Sequence, residues 1–151
     1  MKRILAAATL ALAVFASAGA ANAQTRNRVI VDQAGHSNGA AAYQQGDRNG
    51  AVVMQTGNGH YARGVQAGYN NFLRMDQLGT RNRVTTTQRG QDNFAVTGQQ
   101  GRNLRADTLQ TGYGNIAGTA QIGNGSIATT DQDGVNNTSG IIQIGNGQDA
   151  Q

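Results

Sequence analysis

A primary amide recurs in this sequence at fixed spacing. Gln33, Gln44, Gln55, Gln66, Gln77, Gln88, Gln99, Gln110, Gln121, Gln132 and Gln143 follow one another every eleven residues, without insertion. A second amide column holds Asn27, Asn38, Asn49, Asn71, Asn82, Asn93, Asn115 and Asn137, with His60, Leu104, Ser126 and Gln148 in the same slot of the other copies. A carboxamide carries two N–H donors and an acceptor oxygen, so the chemistry open to these columns is hydrogen bonding. A buried amide without partners is costly. An amide stacked on a copy of itself can donate along the stack, as in cross-β ladders.

Such stacking needs a periodic backbone, and two further columns supply its outline. Gly35, Gly46, Gly57, Gly68, Gly79, Gly90, Gly101, Gly112, Gly123, Gly134 and Gly145 each stand two residues after a Gln. Two residues after the Asn slot comes a small or apolar residue in nearly every copy: Val29, Ala40, Ala51, Ala62, Leu73, Val84, Ala95, Ala106, Ala117, Ala128, Ser139 and Ala150. The first, third, fifth and seventh positions of the unit therefore share one face of a strand. The four residues that follow, x-G-x-x, read as a turn, with Gly where φ is positive or the backbone is crowded.

An odd repeat would put alternate copies on the wrong face of a single strand. A seven-residue strand followed by a four-residue turn removes the conflict, because the turn resets which face points inward. The predicted strands are 27–33, 38–44, 49–55, 60–66, 71–77, 82–88, 93–99, 104–110, 115–121, 126–132 and 137–143. Two strands and two turns close one coil of about 22 residues. The expected fold is all-β: a two-sheet parallel β-solenoid of cross-β, amyloid type, built from 11-residue strand–turn repeats. Residue i lies under i+22 at about 4.8 Å, and the stack is roughly 26 Å tall. Gln33 then sits under Gln55, Gln77, Gln99, Gln121 and Gln143, and Gln44 under Gln66, Gln88, Gln110 and Gln132. Thr86, Thr97, Thr108, Thr119 and Thr130 occupy one inward position and are expected to form a hydroxyl ladder. The same array on an exposed flat face would instead suit ice binding.

Composition agrees with an uninterrupted ladder. Among 151 residues there are 22 glycines and no proline, cysteine or tryptophan. Proline would remove ladder donors. Without cysteine, no disulfide can staple the domain. Residues 1–23 read as a secretory signal peptide: Lys2 and Arg3, an apolar stretch from Ile4 to Ala16, then Ala21-Asn22-Ala23 as a cleavage site. The apolar run is too short for a membrane span. Residues 24–151 form the repeat domain.

Nothing in the sequence assembles a catalytic site. His36 falls in a turn and His60 in an Asn slot, neither beside a repeated acid or nucleophile. The glycine–aspartate pattern of calcium-binding repeats is absent. Gly57-Asn58-Gly59 lacks the strand–loop–helix setting of a phosphate loop. No enzyme activity, cofactor or metal is expected.

A signal peptide followed by N-x-A-x-x-x-Q-x-G-x-x units closely resembles the curlin family, the subunits of curli amyloid fibres. The match covers residues 27–150. It implies a secreted protomer that passes a dedicated outer-membrane channel and polymerises at the bacterial cell surface. There it would serve biofilm matrix and adhesion as a fimbrium-like fibre. The resemblance leaves two subunit roles, a self-polymerising major subunit and a nucleator that templates another curlin. The family's major subunit usually carries a Gly/Asn-rich leader before its first repeat, where this sequence has Gln24 to Arg26. Outside the family, the alternative is a monomeric solenoid that binds ice or a surface ligand.

The ends and the charges bear on partners. No capping segment is legible at either end, and open strand edges template further strands. A homopolymer stacked head to tail is expected, together with other curlin subunits and the export machinery. Residues 24–105 hold ten arginines and four aspartates, net +6, while residues 106–151 hold four aspartates and no base, net −4. In a solenoid this order is axial, so opposite charges would meet between successive protomers. Arginines near Tyr61, Tyr69 and Phe72 also raise contact with extracellular DNA. Host surface proteins are a further class of partner.

Overall fold

The computed structural model describes residues 26–151. The signal-peptide reading of residues 1–23 lies outside the described residues. Eleven nine-residue strands follow one another: β1 Arg28–His36, β2 Gly39–Asp47, β3 Gly50–Asn58, β4 Tyr61–Tyr69, β5 Phe72–Thr80, β6 Arg83–Gln91, β7 Phe94–Arg102, β8 Arg105–Tyr113, β9 Ile116–Asn124, β10 Ile127–Val135 and β11 Thr138–Asn146. A two-residue β12, Asp149–Ala150, comes last. The odd strands form sheet one in the order β1-β3-β5-β7-β9-β11, and the even strands form sheet two in the order β2-β4-β6-β8-β10-β12. All pairings are parallel. Gln33 pairs with Gln55 and Gly35 with Gly57, a step of 22 residues that continues from coil to coil. The chain is a two-sheet parallel β-solenoid.

The strand bounds differ from those predicted. Each strand is nine residues long rather than seven, and two residues join successive strands rather than four. The column glycines remain inside the ladder, each paired with the glycine one coil away. The Asn slot lies just outside, immediately before the strand. The face reset is also shared by two positions. The column glycines have φ between 100° and 139°, and the residue two places later has φ between 53° and 70°. That second column is Ser37, Arg48, Gly59, Asn70, Arg81, Asp92, Asn103, Gly114, Gly125, Asn136 and Gly147.

Stacking fixes the glycine column as much as φ does. A Cβ at Gly79 would overlap the carbonyl oxygen of Gly101, one coil up. The glycines therefore let the corners approach at ladder spacing. The corner backbones also bond along the axis: Gly59 N–H donates to the His36 carbonyl at 2.9 Å, and Arg81 N–H to that of Asn58 at 2.9 Å.

Between the sheets the inward residues make a thin core that changes along the axis. In the first three coils it holds Val31, Val53, Leu73 and Met75 facing Ala42 and Gly64. Gly64 leaves room for its neighbours, since a Cβ there would lie 3.0 Å from Leu73 Cδ2 and 3.3 Å from Met75 Cε. Further along, the positions of Met75 and Gly64 pass to Thr86, Thr97, Thr108, Thr119 and Thr130, all buried, while that of Leu73 passes to Ala95 and Ala117. The expected hydroxyl ladder does not form. The Oγ1 atoms of Thr86, Thr97 and Thr130 have no hydrogen-bond partner. Strand spacing of about 4.8 Å sets successive Thr residues of one sheet further apart than a short hydroxyl can bridge. Being inside, this array offers no surface to ice.

Candidate functional site: amide ladders that reach both ends

The strand alternation turns every column Gln inward, and the 22-residue register places each directly under the next. In sheet one, Gln55 Nε2 donates to Gln77 Oε1 at 2.8 Å, Gln77 to Gln99 at 3.0 Å, Gln99 to Gln121 at 2.8 Å and Gln121 to Gln143 at 2.7 Å. In sheet two, Gln44 donates to Gln66 at 2.8 Å, Gln66 to Gln88 at 2.9 Å, Gln88 to Gln110 at 2.9 Å and Gln110 to Gln132 at 2.8 Å. Gln33 donates to Gln55 in the same sense. All of these donors point toward the C-terminal end of the solenoid.

Each amide has a second N–H, and in nine of the eleven, Gln33 and Gln121 being the exceptions among the described residues, Nε2 also donates across the core. Gln66 Nε2 reaches the Gly50 carbonyl at 3.0 Å, and Gln88 Nε2 reaches that of Phe72 at 2.9 Å. These acceptors begin strands of the opposite sheet. One side chain thus ties neighbouring coils and both sheets, which leaves little of its polarity unsatisfied although it is buried. The sequence does not reveal this second bond, because its acceptor is backbone.

The Asn column works at the corners. Asn71 Oδ1 accepts the backbone N–H of Asn93 at 3.1 Å and its Nδ2 at 3.0 Å. Asn93 Nδ2 also donates to the Arg89 carbonyl at 3.2 Å and to the Gly112 carbonyl at 3.2 Å. The side chain therefore satisfies corner backbone that the sheet ladder misses. Asn49 and Asn115 are placed alike, and Asn27 and Asn137 occupy the outermost levels of that corner. At the other corner, Asn38 Oδ1 accepts from His60 N–H at 3.0 Å, and Asn82 Oδ1 from Leu104 N–H at 3.1 Å.

His60 substitutes for Asn by shape and polarity. Its Nδ1 accepts the Asn82 N–H at 3.3 Å, and its Nε2 meets the Thr56 carbonyl at 3.1 Å. Those partners assign the proton to Nε2, since Nδ1 must accept. His36 lies at the exposed end of β1, so the two histidines form no joint site. No cluster of metal-ligating side chains occurs among the described residues.

The ladders give the solenoid unlike ends. At the N-terminal end, Gln33 and Gln44 receive no donor on Oε1 among the described residues, while the β1 and β2 edges stand open. At the C-terminal end, Gln143 and Gln132 have Nε2 bonds only to the Ile127 and Ile116 carbonyls. One end thus offers amide acceptors and the other amide donors.

Charge is paired locally on the outer surface. Arg74 holds Asp76 at 2.8 Å and Arg105 holds Asp107 at 2.7 Å. Arg83 lies 5.0 Å over the Tyr61 ring and Arg48 5.2 Å over Tyr69. The Arg26 backbone N–H, 2.7 Å from Asp47, holds that carboxyl below the usual carboxylate range, with Arg48 assisting.

The curlin associated repeat matches residues 46–79 and again residues 79–107. No curated protein and no solved structure matches the chain. The same Gln and Gly columns continue on both sides of the matched span.

Proposed function

The chain belongs to the curlin family, and from that premise we propose that it is an exported subunit that polymerises head to tail into extracellular cross-β fibres. The observation that carries this reading is the pair of unlike ends. The Gln143 donor and the Gln33 acceptor belong to the same sheet, in the two strands that have only one neighbour among the described residues. A second protomer can therefore continue the ladder with the bond already used inside the chain. Open parallel edges supply the matching backbone groups. Residues 1–23 would direct export, and the fibre would serve biofilm matrix and adhesion.

Seeded growth tests the reading. The purified chain is diluted from denaturant and followed by thioflavin fluorescence, with and without preformed fibres. A lag that seeds abolish is expected of a self-polymerising major subunit. Growth without a lag, together with seeding of a different curlin, would assign the nucleator role instead. A stable, soluble, β-rich monomer would overturn fibre formation and return a monomeric ligand-binding solenoid.

A further inference from the structure

The two outer faces of the solenoid differ. Sheet two carries Arg63, Arg83, Arg89, Arg105, Asp131 and Asp133 on its outer surface. Sheet one is mostly apolar. Leu78, Phe94, Ile116, Ile122, Ile142 and Ile144 all stand exposed on it, Ile142 by 79% and Ile144 by 66%. Before their turn glycines, the outward positions of β7, β9 and β11 hold no charged residue. A soluble surface rarely leaves such a patch uncovered.

The patch has relief. A groove of about 450 Å³ runs over Gly98 and Ala120, with Leu78 and Ile122 along its side. Gly118 and Gly140 leave the neighbouring column of the face open, since a Cβ on either would meet nothing within 4 Å. Ridge and groove both run along the solenoid axis and repeat at strand spacing.

We propose that the outer face of sheet one is a lateral interface that takes a second copy of this chain, face to face and antiparallel. Area supports a stable contact. Nine residues per strand and six strands make a face of roughly 850 Å² at ordinary sheet spacings, against about 800 Å² per partner in a standard interface. Charge selects the orientation. The basic span to residue 105 and the acidic span beyond it lie at opposite ends of the axis, so antiparallel copies set +6 beside −4. On the face itself Arg74 and Asp76 already neutralise one another. A second copy also matches the face strand for strand, since antiparallel copies set β7 against β5, β9 against β3 and β11 against β1 at one common spacing.

The chain has no cysteine, so single thiols report cleanly. Gly98→Cys, Gly118→Cys and Gly140→Cys are placed on the face, with Thr85→Cys on sheet two as the control. Each full-length variant is treated with a short bis-maleimide. Facing sheets lie about 10 Å apart, within its reach. At least one face position is expected to give five-fold more cross-linked dimer than Thr85→Cys, with unequal yields among the three. Equal yields at Gly118→Cys and Gly140→Cys would overturn the antiparallel orientation, because parallel copies keep every residue level with itself, whereas antiparallel copies carry Gly140 further from its equivalent than Gly118. Dimer yields at or below the control would overturn the interface, and so would a face shielded by the chain's own residues 1–25.

In a single head-to-tail solenoid, equivalent thiols are a whole protomer apart, so fibre growth alone gives no signal. A second variant separates lateral pairing from growth. Ile122→Lys with Ile144→Lys is expected to halve fibre mass per length and leave the seeded growth rate within two-fold. Unchanged mass per length would contradict the interface.

Discussion

The two corners of the solenoid solve one problem with different residues. The corner entering sheet one holds Asn27, Asn49, Asn71, Asn93, Asn115 and Asn137, the same residue at every level. The corner entering sheet two holds Asn38, His60, Asn82, Leu104, Ser126 and Gln148. Both must offer an acceptor to the backbone N–H one coil up. Asn does so, His60 does so with Nδ1, and Ser126 does so with Oγ, which accepts from Gln148 N–H at 3.2 Å. Leu104 offers nothing, and no bond from Ser126 N–H replaces it among the described residues. The difference teaches that the corner requires an acceptor at a fixed place rather than Asn as such. One missing acceptor is tolerated where the flanking ladders continue.

That comparison can be broken from its uniform side. Asn93→Leu should have the largest effect. It leaves the Asn115 N–H without an acceptor and the Arg89 and Gly112 carbonyls without a donor, inside a buried corner. We expect a loss of about 3 kcal/mol, read as a lower denaturant midpoint. The reverse change, Leu104→Asn, should be much milder. New corner bonds offset lost apolar burial, and the net change should fall within about 1 kcal/mol of zero. Equal losses from both substitutions would show that the corners do not differ in this way.

His60→Asn sharpens the same point. If position and polarity are what matter, Asn should restore the Asn82 contact at a change of about 1 kcal/mol or less. Hydrogen exchange at the Asn82 amide should then stay slow. His60→Leu should speed that exchange at least ten-fold. The smallest effect belongs to the exposed surface. Asp47 has a lowered carboxyl pKa, so what it contributes is present above its unfolded value near 3.8 and fades as pH falls through the folded value. Asp47→Asn should leave the midpoint at neutral pH almost unchanged and slightly flatten its decline in acid.

The Gln and Gly columns were legible because stacking demands identity there. A ladder amide needs the same amide above it, and a glycine under a glycine carbonyl admits no Cβ. Coil length, sheet number and parallel register follow from that spacing. The strand ends were hidden because the glycines remain in the ladder despite positive φ, whereas sequence reading treats Gly as a break. The second left-handed column was obscured by Arg48 and Arg81, although Gly, Asn or Asp fills eight of its eleven places. The Thr array was read correctly as inward, but not its bonding. Nothing in the residue type says that the hydroxyls of Thr86 and Thr97 go unpaired. The apolar face of sheet one lay in positions that vary between copies, so a search for columns passed over it.

Mixed-label solid-state NMR of the fibres tests the central claim most directly. Half of the chains carry ¹⁵N and half ¹³C, so that only contacts between chains are seen. A head-to-tail solenoid predicts contacts between the Gln143 amide of one chain and the Gln33 side chain of the next, with none between copies of Gln99. Contacts of Gln99 with Gln99 throughout the fibre, and none between Gln143 and Gln33, would mean flat chains stacked in register and would contradict the account.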